Sequence, residues 1–502
     1  VSVRGSKVAL SPQEKVALSP QEKVALPPQE KVALPPQVVE REFEEFLGRY
    51  PEYSGTGAVD QVRDTEFSRL DRLGHVYVDY TGGGLFGESQ VRKHMEFLTG
   101  SVLGNPHSTN PTSALATERV ARCRKRVLKF FNADPDEYVL IFTSNASLAL
   151  KLVGESYPFA EGDRLLLTFD NHNSVLGIRA FDRVKRASTR YVPVEPPDMR
   201  VTDSTLDTYL AGSPESKNKL FAFPAQSNFS GVQHPLEWIG RAKEHGWDVL
   251  LDAAAFVPTN RLDLRRWHPD YMVLSFYKMF GYPTGVGALL ARRKALQKLH
   301  RPWFAGGTIS WASVLADKHT LSPGSEGFED GTLNYTSLPA VEIGLDFLDS
   351  VGIETIHTRV NALAGWLMSE LVGLRHPSGE RVARIYGPID MEARGGTLAL
   401  NLYDPRGAPF DHRVVEEKAN AWKISLRTGC FCNPGAGELA MGLERDEIVG
   451  CLAQSGDRMT VDQFQQCIDN KSTGAVRISF GLASTFEDAL TVLRFFQEFM
   501  EE

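Results

Sequence analysis

The chain has 502 residues, 42% hydrophobic and 24% charged, which suits a soluble globular protein with one large domain and a smaller one beside it. A formal net charge of −8 argues against nucleic acid or an anionic membrane as the main partner, and no run of about 18 apolar residues offers a membrane span. Five cysteines, odd in number and irregularly placed, point to reduced, cytoplasmic chemistry and not to a disulfide framework, and no compact apolar N-terminal segment reads as a signal peptide.

Residues 7–37 repeat the octapeptide Lys-Val-Ala-Leu-Ser/Pro-Pro-Gln-Glu almost four times. A proline in every unit prevents a continuous helix, and Val-Ala-Leu is too little to bury, so residues 1–37 read as a disordered or polyproline-like tail. Recurrent glutamate and scarce arginine argue against a mitochondrial presequence. Residues 38–74 open the globular part with helical spacing of apolar residues over Val39–Leu47, and this segment is expected to pack with the small domain. Val76–Tyr80 reads as a strand that ends in the turn Thr81-Gly82-Gly83-Gly84.

From there apolar strand-like runs (Tyr138–Thr143, Arg164–Phe169, Leu220–Phe223, Trp247–Leu251, Tyr271–Ser275) alternate with amphipathic helices such as Ala114–Phe131 and Leu236–His245. This alternation predicts an α/β fold: a large domain over 75–325 whose mostly parallel sheet is flanked by helices on both faces. The amphipathic stretch Pro339–Val351 leads into a smaller α+β C-terminal domain over 326–502. In sheets of this kind chemistry gathers at the carboxyl ends of the strands.

Four strand ends carry polar residues. Lys278 follows the run Tyr271–Ser275 and faces a glycine-rich turn ending at Gly287. A partly desolvated amine there suits covalent capture of a carbonyl cofactor, and the glycines let backbone approach a phosphate; alone, a surface lysine reads the same way. Asp252 ends an apolar strand one strand-helix-strand unit earlier. It serves either as a turn cap or as the carboxylate that keeps the ring nitrogen of pyridoxal phosphate protonated. Asn145-Ala146-Ser147 opens a helix, an N-cap that is also a ready anion site. His172 follows Arg164–Phe169, placed to stack on a cofactor ring or to serve structure alone.

Near the C-terminus Arg427-Thr-Gly-Cys430-Phe-Cys432-Asn-Pro-Gly-Ala436 is a turn-rich loop between strand-like segments. A mobile thiolate, a buried structural cysteine or half of a metal site would each fit it. The metal alternative needs two more ligands, and Cys451 and Cys467 offer no zinc spacing, so no metal is expected.

Lys278 in SFYKMFGYPTGVGALL, Asp252 in LLDAAAFVPTN and the loop LRTGCFCNPGA together resemble the class V pyridoxal-phosphate (fold type I) family, of cysteine desulfurase type. The likeness is greatest to the NifS-like domain of molybdenum cofactor sulfurases, over roughly residues 75–500. The resemblance implies that Lys278 binds pyridoxal 5'-phosphate covalently, Asp252 contacts its ring nitrogen and His172 stacks on the ring. Asn145, Ala146, Ser147 and Ser275 would hold the phosphate, and Asn228 would approach the ring hydroxyl. Thr332, after Gly331, resembles the segment that reaches the phosphate from a second subunit, which implies a homodimer. The pattern R-T-G-x-x-C places the nucleophile at Cys432, with Cys430 as a resolving or protecting thiol. Arg427 would favour the thiolate, and Arg477 would fork onto the substrate α-carboxylate.

Two positions depart from general cysteine desulfurases: Ala255 stands where they have glutamine and Tyr277 where they have histidine, both in the manner of the sulfurase branch. Full sulfurases continue into a domain for the molybdenum cofactor, so removal of sulfur from L-cysteine or a related amino acid is better supported than its delivery, and the acceptor stays open. A C–S lyase or epimerase of the same fold, or a non-catalytic scaffold, are the alternatives; the lysine, aspartate and arginine set argues against the scaffold.

Overall fold

The computed structural model describes residues 35–500 except 107, 214, 456–462, 464–466 and 468–473. Nearly all of the tail read at residues 1–37 lies outside the described residues. The helix Pro36–Arg49 opens with Pro36 at a position where its missing N–H costs nothing.

The first strand, β1 (Val76–Tyr77), stops three residues short of the stretch expected from the sequence. Next come β2 (Tyr138–Thr143), β3 (Arg164–Thr168), β4 (Ser188–Val192), β5 (Lys219–Pro224), β6 (Asp248–Asp252), β7 (Tyr271–Ser275) and β8 (Gly287–Arg292). These seven form one sheet in the order β2-β8-β7-β6-β5-β3-β4, with β8 antiparallel to both neighbours and every other pair parallel. The α/β fold expected from the alternation is therefore present. The sequence reading missed β4 and β8. β4 is a half-exposed edge strand, and β8 begins at Gly287, where the expected glycine-rich turn ends.

Residues along each central strand alternate between two cores, as the pleat requires. Leu140, Phe142, Leu166, Phe221 and Phe223 face one; Val139, Ile141, Leu165, Leu167, Leu220 and Ala222 face the other. Because both faces are covered, these strands read as unbroken apolar runs and not as alternating ones.

Past the sheet, β9 (Ile309–Ser313) and β10 (Lys318–Leu321) make an antiparallel hairpin. The helices Leu338–Val351 and Ile353–Gly373, which meet at Gly352, then lead to β11 (Ala383–Tyr386), β12 (Thr397–Leu402), β13 (Ile424–Ser425), β14 (Arg427–Gly429) and β15 (Ala475–Ser479). A second, antiparallel sheet has the order β11-β12-β15-β14, while β1 pairs in parallel with β13 and Asp79 bridges to Ser479. The chain just after β1 is thereby tied to β15.

One expectation about the cysteines is corrected. Cys451 and Cys467 are joined by a disulfide, their sulfurs 2.08 Å apart, whereas Cys123, Cys430 and Cys432 are free. No local pattern reveals it, because a spacing of 16 residues between two cysteines fits no recognisable framework.

Arg63 fixes the N-terminal segment to the C-terminal helix Phe486–Gln497. It donates to Asp71 at 2.7 Å, to Asp488 at 3.0 Å and to the Ala483 carbonyl at 2.7 Å. Arg63 and Asp488 are both buried, and removal of one partner from a buried pair leaves a charge with no compensation. Arg63→Ala is expected to lower unfolding free energy by about 3–5 kcal/mol in urea denaturation; a loss below about 1 kcal/mol would mean that the pair carries little.

Candidate active site

Because neighbouring parallel strands end on the same side, the loops after β3, β5, β6 and β7 converge. Around one cavity of about 170 Å³ the structure brings together Asn145, Ala146, Ser147, His172, Asn228, Asp252, Ser275 and Lys278. All eight come from the strand ends and the helix start picked out in the sequence, or from the resemblance. Ser174, Gln226, Ala255 and Tyr277 line it too.

The helix Ala146–Ser156 opens on the cavity. Asn145 caps it, its Oδ1 accepting from Leu148 N at 3.0 Å, and Ser275 Oγ accepts from Ala146 N at 2.8 Å. Ser147 Oγ lies 2.6 Å from Ser174 Oγ. Three hydroxyls and a helix N-terminus in one corner make an anion cradle. Gly287 is needed beside it for an unexpected reason. A Cβ there would sit 2.5 Å from Asn145 Cα, so glycine lets β8 press against the helix start and not against a phosphate.

Burial pushes the Lys278 amine below its usual range; Asp252 opposes the shift and Arg477 adds to it. The neutral, nucleophilic amine is thereby favoured. Burial likewise holds His172 low and neutral, against the pull of Asp252 and with the push of Lys278 and Arg477. His172 Nδ1 accepts from Ser174 N at 3.1 Å, so the ring proton belongs on Nε2. Asp252 is buried, with Oδ1 accepting from Ala254 N at 3.0 Å. A desolvated amine, a buried carboxylate lining the same cavity and an anion cradle beside them are the donor set that a pyridine-aldehyde phosphate requires. The residues fit that group.

The cysteine loop closes over this region from the second sheet. Cys430 and Cys432 are exposed, and Phe431 between them ties the loop to the cavity wall, its carbonyl accepting from Asn228 Nδ2 at 2.7 Å. Arg477 is buried; it donates to the Asn228 carbonyl at 3.1 Å and to Asp79 Oδ1 at 2.8 Å, and it stands 4.8 Å over the Phe431 ring. Its Nε is buried with no protein partner among the described residues, a free donor for a further acceptor. Arg427 donates to Asp79 Oδ2 at 2.6 and 3.0 Å. The charge expected to favour a thiolate is therefore shared with a carboxylate.

Thr332 is not in this cavity. It lines a neighbouring one of about 280 Å³ with Thr143, Ser144, Lys151 and Gly285. Three participants were missed in the sequence. Asp79 ends a strand-like run before a turn, the same signal that marked Asp252. Asn433 lies inside the quoted cysteine loop. The buried Asp170–His234 pair, 2.9 Å apart, carries no local signature. Burial alone would raise Asp170, but His234 and its hydrogen bonds outweigh it and hold the carboxyl below its usual range.

Strand ends that converge on a desolvated lysine, with an anion cradle and a buried aspartate, define an α/β enzyme site built for a phosphate-bearing cofactor. The chain belongs to the aminotransferase class-V family, whose model matches residues 76–492. It is 35% identical over 491 residues to the molybdenum cofactor sulfurase of Solanum lycopersicum, covering 91% of this chain and 59% of that protein. It is 39% identical over 465 residues to the molybdenum cofactor sulfurase of Bos taurus, covering 88% of this chain and 52% of that protein. The chain thus spans somewhat over half the length of the curated relatives it matches. Its fold is similar to that of a cysteine desulfurase from Thermococcus onnurineus NA1, with a TM-score of 0.71 at 22% identity over 88% of this chain and 98% of that one.

Proposed function

We propose that the chain is a pyridoxal-phosphate-dependent cysteine desulfurase of molybdenum cofactor sulfurase type, which takes sulfur from L-cysteine, leaves alanine and passes the sulfur to an acceptor. The observation that carries this reading is the meeting of two chemistries: the desolvated amine of Lys278 in the cavity and the free thiol of Cys432 on a turn whose Phe431 carbonyl is bonded to Asn228 of the cavity wall. A lyase or epimerase needs only the first.

Bound in the cavity, the cofactor would supply an electron sink for the substrate α-carbon. The chain's own residues do the rest. Lys278 would hold the cofactor, Asp252 would face its ring nitrogen and His172, kept neutral, would lie against the ring. Asn145, Ala146, Ser147 and Ser275 would take the phosphate. Arg477 offers its unpartnered Nε to the substrate carboxylate. Cys432 then accepts the sulfur: the C–S bond of cysteine breaks, an S–S bond forms on the enzyme, and the carbon skeleton leaves as alanine. Cys430, two residues away, would resolve the persulfide. The acceptor requires access to this exposed loop.

Thr332 fits a second-subunit role better than a role within one chain, because it lines a separate cavity. The β9–β10 hairpin nearby exposes Trp311, Val314 and Leu315, apolar side chains that suit a contact with a second copy. A dimer in light scattering, with cofactor lost on dilution to monomers, is the expected result; a fully loaded and active monomer would refute the role of Thr332.

The chemistry itself is tested by product analysis. Cys432→Ala is expected to cut alanine formation from L-cysteine by about a hundredfold or more. Cys430→Ala should keep most of it. Pyruvate and ammonia at an undiminished rate from Cys432→Ala would establish a lyase instead.

A further inference from the structure

The turn that carries the two free cysteines has an unusual backbone. Phe431 and Cys432 both have φ of 55°, and Asn433 N donates to the Cys430 carbonyl at 2.9 Å, which closes a four-residue turn. Two consecutive left-handed residues are the pattern of a type I′ turn, where asparagine, aspartate or glycine is the usual occupant. Phenylalanine and cysteine hold such a shape only if their surroundings impose it.

The imposition can be traced bond by bond. The Phe431 carbonyl accepts from Asn228 Nδ2 at 2.7 Å, and the Cys432 carbonyl accepts from Asn173 N at 2.6 Å. Asn433 has no exposed surface; its Nδ2 donates to the Asp170 carbonyl at 2.6 Å and to Asn228 Oδ1 at 2.9 Å. Its Oδ1 accepts from Ala436 N at 3.2 Å and so caps the helix Pro434–Ala440. Gly435 lets that helix sit against β3, since a Cβ would fall 2.0 Å from the Phe169 carbonyl. The turn is thus tied to Asp170 and Asn173, which flank His172 in sequence, and to Asn228, which lines the cofactor cavity.

We infer that Asn433 is a positioning residue for Cys432: its buried amide holds the cysteine turn docked, with Asn228 as the joint between turn and cavity. Both ends of the Asn228 amide are bonded to the turn. Each end of that amide gives one hydrogen bond to the turn and keeps a second N–H or lone pair for a ligand group, so the cavity and the hold on the turn share one side chain. The inference rests on the proposed sulfur-accepting role of Cys432, but the docking itself can be read without turnover.

Two variants test it, each sparing the local helix. Asn433→Ser keeps a side-chain cap for Ala436 N but is too short to reach the Asp170 carbonyl and Asn228. Asn173→Pro removes the one N–H that holds the Cys432 carbonyl. It does so at the first position of its helix, where proline is favoured, after His172, whose φ of −63° and ψ of 148° suit a residue before proline. In the cofactor-loaded protein, hydrogen–deuterium exchange of the peptide spanning 428–437 is expected to quicken by about tenfold in either variant. The kcat for alanine formation should fall by about tenfold while the KM for L-cysteine changes less than about twofold. Exchange within about twofold of wild type, or faster exchange with unchanged kcat, overturns the positioning role. If Asn433→Ser does not fold, Asn173→Pro decides by the same two readings. Should the wild-type protein make no alanine at all, the desulfurase reading fails by itself, while the exchange result still tells whether the turn is held as described.

Discussion

The site depends on the desolvation of one amine. Lys278 stands just past the end of β7, where the sheet's carboxyl ends, the helix Ala146–Ser156 and the cysteine turn all close in, and burial lowers its affinity for a proton. The same enclosure keeps His172 neutral and leaves Asp252 as the nearby counter-charge. An amine at the same place on an open surface would be a protonated lysine with no special chemistry. The fold therefore acts on the site chiefly by excluding water from the point where four loops meet.

A second constraint balances the first. Two guanidinium groups, Arg477 and Arg427, crowd one region beside Lys278, and Asp79 lies between them with one carboxylate oxygen on each. Asp79 reaches that point because the chain just after β1 bridges to β15, the strand that carries Arg477. The short strand before the glycine turn thus belongs electrostatically to the second sheet, although it precedes the first in sequence. Arg477 in turn touches Phe431 of the cysteine turn and the backbone of Asn228. Arg477, the cavity wall at Asn228 and the cysteine turn are in this way one connected unit.

Much of this was legible in the sequence, for physical reasons. Central strands covered on both faces read as apolar runs, so β2, β3, β5, β6 and β7 were recognised nearly at their bounds. Strand ends in such a sheet collect polar residues, so Lys278, Asp252, Asn145 and His172 stood out. Other features depend on partners distant in the chain. β8 was hidden because its glycine serves contact with Asn145, β4 because it is a half-exposed edge, and the Cys451–Cys467 bond because only the fold joins its ends. Asn433 and Asp79 were in view as letters, but their importance comes from buried amide and carboxylate contacts that no local pattern encodes.

The central claim is that Lys278 is the residue that holds the cofactor, and chemical fixation tests it most directly. Protein loaded with pyridoxal phosphate is reduced with borohydride, digested and mapped by mass spectrometry. The account predicts a reduced phosphopyridoxyl group on the peptide that carries Lys278, and no such group at the site in Lys278→Ala. Fixation on a different lysine, or an unlabelled Lys278 in protein that retains its cofactor, would contradict it.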